Sequence, residues 1–166
     1  MKNELVLIRS NGKDHLCHKC SSFYEDICNP IIAFSEDEND FEIISPDKSY
    51  INKIYEYLGH KVYIVPIFYL NQKLGIFLED ITDGSLFTEL TVNFEEQDVL
   101  GLSKHIFIDI NNNPDAMNFL ESNGLAKDSG HSYRSGWVNY PLAILNIPLI
   151  YQHDPQAFDE INFYEK

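Results

Sequence analysis

The residues best suited to chemistry are the thiols and imidazoles of His15-Leu16-Cys17-His18-Lys19-Cys20, with Cys28 close behind. Every cysteine of the chain falls between Cys17 and Cys28. Cysteines separated by two residues can grip one tetrahedral ion from a tight turn, and such a site takes four donors. His15, Cys17, Cys20 and Cys28 make a Cys3His set, and the cofactor they predict is a structural zinc. His15 is favoured because strand alternation puts it on the face of Cys17, while His18 sits inside the turn. His18 and His60 remain alternative fourth ligands. A closed four-ligand site stabilises a fold and leaves no open position for catalysis. The plainer alternative is three buried thiols with their histidines in solvent. His105, His131 and His153 stand isolated and read as surface or half-buried residues.

The carboxylates are the second chemical resource. The chain of 166 residues has 12 Lys and Arg against 26 Asp and Glu, a net charge of −14. Such a surface repels nucleic acid and membrane phosphates and attracts basic proteins. The acid is unevenly placed: residues 25–47 hold eight acidic residues and no basic one, and residues 67–100 hold seven against Lys73 alone. Glu36, Asp37, Glu38 and Asp40 lie on a loop predicted to be exposed. Glu79, Asp80 and Asp83 lie around sheet turns, with Glu95, Glu96 and Asp98 beyond them. These are the candidate partner-binding residues, since connecting segments reach partners without being needed for packing.

The sequence holds no Gly-x-Gly-x-x-Gly, no phosphate-binding Gly-Lys-Ser/Thr loop, no Gly-x-Ser-x-Gly elbow and no His-Glu-x-x-His. Cys-His-Lys-Cys does not open a helix in a βαβ unit, which weakens a redox reading. A non-catalytic protein is expected. No apolar run approaches the roughly 20 residues that cross a bilayer. The first residues lack the long apolar core of a signal peptide. A cytoplasmic location is expected, and clustered cysteines in a reducing compartment favour metal over a disulfide.

The elements that must carry these residues follow from patterning. Glu4-Leu5-Val6-Leu7-Ile8 reads as a strand, Asn11-Gly12 as a hairpin turn, and Asp14–Cys17 as the return strand. Residues 31–34 and 41–44 read as short strands. Ser45, Pro46 and Asp47 suggest a helix start, and Ile51, Ile54, Tyr55 and Leu58 form one apolar stripe, which predicts a helix over 46–58 closed by Gly59. Strands are predicted over 62–70, 74–78, 85–94 and 105–110. In 85–94, Leu86, Leu90, Val92 and Phe94 are placed inward, with Glu89, Thr91 and Asn93 on a wet face. A second helix is predicted over 114–122, capped by Asn113 and stopped by Asn123-Gly124, then a strand over 137–146 and an irregular tail from Pro148. The fold class is α+β: mainly an antiparallel β-sheet meander with two helices packed on it, plus an N-terminal zinc-ribbon-like hairpin. The chain divides into a cysteine and histidine segment with the first helix, 1–66, and a sheet region, 67–166.

Three blocks in the second half carry a resemblance: Phe107-Ile-Asp-Ile-Asn-Asn-Asn-Pro114, Phe119-Leu-Glu-Ser-Asn-Gly-Leu125, and Ser135-Gly136-Trp137 with Tyr140-Pro141-Leu142. In order and spacing they resemble a family of small acidic proteins of unknown function carried on phages, conjugative elements and related mobile DNA of Firmicutes-type bacteria. The resemblance implies an origin and supplies no active site. Small acidic proteins of such elements look like counter-defence factors of the anti-CRISPR kind. The expected function is therefore a non-catalytic inhibitor. Its acidic surface would meet a basic nucleic-acid-binding protein of the host, for example a CRISPR effector nuclease, with no direct contact to nucleic acid or membrane. The alternatives are a zinc-stabilised protein–protein adaptor and a small enzyme. Tyr133, Arg134 and Trp137, around Gly136, form a further candidate contact patch.

Overall fold

The structure, a computed structural model, describes residues 4–19, 24–26, 42–94 and 104–160. Strands β1 (Glu4–Ser10) and β2 (Lys13–Lys19) join across Asn11-Gly12. The turn residues have φ of 50° and 72°, the two left-handed positions of a type I′ hairpin turn. With β3 (Tyr24–Asp26) and β4 (Glu42–Ile44) they form a sheet in the order β3-β2-β1-β4. The hairpin expected from Asn11-Gly12 is present. The return strand runs on through Lys19, so Cys17 is a strand residue.

The helix predicted over 46–58 does not form. A short 3-10 turn, Lys48–Tyr50, is followed by strand β5 (Ile54–Tyr57). Two local signals compete here, and backbone geometry decides. Leu58 and Gly59 have φ of 50° and 79°, so they make a two-residue hairpin turn into β6 (His60–Phe68), with Tyr57 opposite His60. Burial then follows period two: Tyr55 and Tyr57 are buried, and Ile54, Glu56 and Leu58 are exposed. Asp47 does cap, but it caps the 3-10 turn, its Oδ1 accepting from Ser49 N at 2.9 Å.

The second sheet adds β7 (Leu74–Asp80) and β8 (Leu86–Glu89) in the order β5-β6-β7-β8. The single strand expected over 85–94 is split. Leu90, fully buried, is the pivot: its amide donates to Ile76 O at 3.0 Å, and its carbonyl accepts from Asp109 N at 2.9 Å. Beyond it β9 (Thr91–Val92) belongs to the third sheet, ordered β11-β12-β10-β9. The split overturns the predicted faces. Leu86 is 58 % exposed, and Thr91 is 1 % exposed. The Thr91 hydroxyl accepts from Ile76 N at 3.1 Å and shares a hydrogen bond of 2.7 Å with the Tyr69 hydroxyl. Gly75 makes room for this contact, because a Cβ there would lie 2.7 Å from Thr91 Oγ1 and from Tyr69 Cε2.

The third sheet contains β10 (His105–Ile108), β11 (Ala126–Ser135) and β12 (Val138–Leu145). Helix α1 (Ala116–Ser122) precedes β11 and exits through Gly124 at φ 70°, as Asn123-Gly124 predicts. Asn113 is not its cap. The side chain is buried, donating to Glu89 O at 2.8 Å and accepting from the Thr88 hydroxyl at 2.8 Å. The tail expected to be irregular is helical: α2 (Ile147–His153) and α3 (Pro155–Glu160). Asn146 Oδ1 caps α2 and Asp154 Oδ1 accepts from Ala157 N at 3.1 Å. The architecture is thus three antiparallel sheets with a few short helices. One core joins them, in which Leu7 and Leu16 of the first sheet cluster with Leu78, Ile108, Leu145, Ile150 and Phe158. Among the described residues no helix is long and apolar enough to cross a membrane.

Candidate functional site

His15 sits on β2 opposite Ile8 and is 9 % exposed. Cys17, two residues on, pairs with Val6 on one side and Asp26 on the other. Cys20 and Cys28 lie outside the described residues, and among the described residues no group of metal-binding side chains converges. His60 opens β6 and stacks on Phe87, with ring centroids 4.7 Å apart.

Of the acidic candidates, Glu36, Asp37, Glu38 and Asp40 lie outside the described residues, as do Glu95, Glu96 and Asp98. Glu79 and Asp80 end β7, and Asp83 lies in the turn to β8. The last two carboxylates build that turn. Asp80 Oδ1 accepts from Thr82 N at 2.7 Å, and Asp83 Oδ1 accepts from Ser85 N at 2.9 Å. Hydrogen bonds from Thr82 and from Ser85 hold the two carboxyls below their ordinary value, so they stay ionised. Asp47 and Asp128 fold their own turns in the same way, through Ser49 N and Gly130 N.

The long ribbon of β11 and β12 presents the contact patch. Gly136, at φ 61°, and Trp137 connect Ser135 to Val138, the glycine-first pattern of a type II′ turn. Trp137 at the tip is 95 % exposed, and Arg134 is held beside it by an Nε hydrogen bond of 3.3 Å to Gly136 O. Behind the tip, Tyr133 faces Tyr140 across the ribbon. Phe94 packs edge-on against both, at 5.0 Å between centroids. A rigid aromatic root therefore carries a tryptophan into solvent. From Ser129 to His153 the chain has no acidic residue, which sets the ribbon apart from its surroundings.

Two clefts flank the junction of the 3-10 turn with α2. The larger, about 570 Å³, lies between the β1–β2 hairpin and α2 and is lined by Arg9, Lys13, Asp47, Tyr50, Asn146 and Gln152, among others. Several of its polar groups are committed to each other. Arg9 pairs with Asp14 at 2.7 Å, and Gln152 Oε1 accepts from Asp47 N at 2.9 Å. The smaller, about 250 Å³, is bounded by Tyr50, Lys53, Tyr63, Glu79, His153 and Asp154. His153, expected to be an isolated surface or half-buried residue, is 7 % exposed here. Its Nδ1 lies 2.9 Å from Leu149 O, which can only accept, so Nδ1 carries the proton. Nε2 then accepts from the Tyr55 hydroxyl at 2.7 Å. Burial lowers the His153 pKa and pushes the Tyr55 hydroxyl up to about 12, so both are neutral at neutral pH. The ammonium of Lys53 lies over the Tyr50 and Tyr55 rings, 4.7 and 5.2 Å from their centroids. Sequence reasoning missed this cluster, because its parts are about a hundred residues apart; the one local trace is the helix boundary Asp154-Pro155.

A family described as a domain of unknown function (DUF4313) matches residues 59–165. The chain belongs to this family. No curated protein and no solved structure matches it. The DUF4313 match begins at Gly59, in the turn from β5 to β6, and reaches past α3. It therefore contains the ribbon, Glu79 and His153. Tyr50, Lys53 and Tyr55 of the smaller cleft precede it, as do the three cysteines.

Proposed function

We propose that the protein is a non-catalytic inhibitor from a phage or mobile element, acting in the cytoplasm of the bacterial host. Its acidic surface binds a basic nucleic-acid-binding face on a host defence protein, a CRISPR effector nuclease being the leading candidate. The observation that carries the reading is the net charge of −14. Turn aspartates keep part of that charge ionised and solvent-facing, at Asp80 and Asp83 among others. Complementary charge of this kind raises association rates and selects partners by sign. The exposed Trp137 beside Arg134 supplies the other ingredient of an interface, since Trp and Arg are the side chains most often found at binding hot spots.

The test measures association of the purified protein with a CRISPR effector nuclease across a salt series, alongside cleavage of its DNA target. The expected result is stoichiometric loss of cleavage and an association rate that falls steeply with salt. Undiminished cleavage by a panel of such nucleases at saturating protein would overturn the reading.

A second reading, a zinc-stabilised adaptor, is favoured by one observation. The three cysteines precede the DUF4313 match, and His15 and Cys17 lie two residues apart on the same strand, β2. In both readings His15, Cys17, Cys20 and Cys28 hold one structural zinc, in a zinc-ribbon-like hairpin.

A further inference from the structure

We propose that the smaller cleft receives a lysine or arginine side chain of a basic protein partner, an inference that rests on the acidic-inhibitor function proposed above. The site already holds a cation, the chain's own. Lys53 Nζ lies 4.7 Å from the Tyr50 centroid and 5.2 Å from that of Tyr55, inside the roughly 6 Å over which a ring face attracts an ammonium. Glu79 and Asp154 line the same cleft and add negative charge. Glu79 is the cross-strand neighbour of Tyr63, so a carboxylate and an aromatic ring stand together on one face of the sheet. His153 is buried at the back of the cleft, and burial lowers its pKa, so its ring is neutral and adds no competing charge.

The shape fits one long side chain. A volume of about 250 Å³ is below the roughly 300–1,000 Å³ of small-molecule sites. β5 begins at Ile54, opposite Tyr63, and the next residues of β6, Ile64 and Val65, line the cleft, so an apolar stem can lie along that strand edge. Lys53 is exposed and rides on a flexible stem, so it can swing out and yield its place. Lys53 thus acts as a placeholder that an incoming cation displaces. The larger cleft is less suited, because Arg9 and Lys13 line it and would repel the same ligand.

The experiment titrates the full chain with hexalysine and hexa-arginine peptides at low salt, following affinity by calorimetry and the ring resonances of His153 and Tyr50 by NMR. Lys53→Met is expected to tighten binding about fivefold, while Lys127→Met on β11, with the same charge change, leaves it nearly unaltered. Glu79→Gln and Tyr50→Leu are expected to weaken it about fivefold, against no change in Asp159→Asn on α3. Lys53→Met alters an exposed side chain, so it carries the test even if Tyr50→Leu fails to fold. Peptides that bind with all three cleft variants tracking their controls, and with unmoved ring resonances, would overturn the cleft and leave the acidic-inhibitor reading standing. Failure of both peptides to bind at low salt would remove both.

Discussion

His153 shows how much one side chain can be changed by its surroundings. Its folded pKa is lowered, chiefly by burial, below the ordinary 6.5. As pH falls the unfolded chain therefore takes up the proton first, and the native state loses relative stability. The contribution of His153 is complete above about pH 6.5 and declines as pH drops through and below that value. His105, held low by the same cause, acts in the same window. Thermal melts between pH 8 and pH 5 should show a falling midpoint below about 6.5, and His153→Gln should flatten the fall. The same substitution should cost about 1–3 kcal/mol at pH 8, since the Tyr55 hydroxyl loses its buried partner. Asp47, Asp80 and Asp83 work in a lower window. Their folded pKa values lie below 3.8, so their contribution is present above that pH and is lost as pH falls through the folded values.

Elements in this protein are defined as much by how they switch partners as by their own pattern. The passage from β8 to β9 through Leu90 joins two sheets, and Gly75 gives Thr91 and Tyr69 the space to meet there. Gly75→Ala should cost about 1–3 kcal/mol in urea unfolding, because the added methyl meets a packed ring and a bonded hydroxyl. An unchanged midpoint would mean that Tyr69 can move aside. The β11–β12 ribbon makes a contrasting prediction. Trp137→Ala should leave stability within about 0.5 kcal/mol, as for other exposed sites. It should slow or abolish capture of the partner, with a loss of about 2 kcal/mol or more if the tip is a hot spot. Equal binding by wild type and Trp137→Ala would move the interface to the acidic turns.

Across the whole molecule the dominant property is charge. The purified protein should not shift plain duplex DNA at physiological salt, since phosphate affinity depends on clustered Lys and Arg. A shift at low micromolar protein would redirect the reading toward a zinc-dependent nucleic-acid binder. The metal makes a separate global prediction, because zinc binding and folding of a small hairpin are coupled. Protein purified without chelator should carry about one zinc per chain, and Cys17→Ser should remove it and lower the melting temperature. Metal analysis without zinc would end that assignment. Zinc kept in His15→Ala but lost in His60→Ala would change only the fourth ligand.

Features encoded over a few neighbouring residues were readable from the chain. Asn11-Gly12 specifies the β1–β2 turn because both residues tolerate the left-handed region, and Asn123-Gly124 ends α1 for the same reason. The apolar runs that became β6, β7 and β10 were readable too, as was the acidity. Features that depend on a distant partner were not. Ile51, Ile54, Tyr55 and Leu58 satisfy a helical stripe on paper, yet residues 54–57 pair with β6 across the Leu58-Gly59 turn, and Tyr55 meets His153, 98 residues away. β11 is polar along most of its length and is a strand because β12 pairs with it. The cleft at Lys53 draws its walls from the 3-10 turn, β6, β7 and the end of α2. A sequence pattern records period and turn chemistry, which act between neighbours. Burial, pairing and the convergence of side chains are settled by which surfaces meet, and that requires the folded chain.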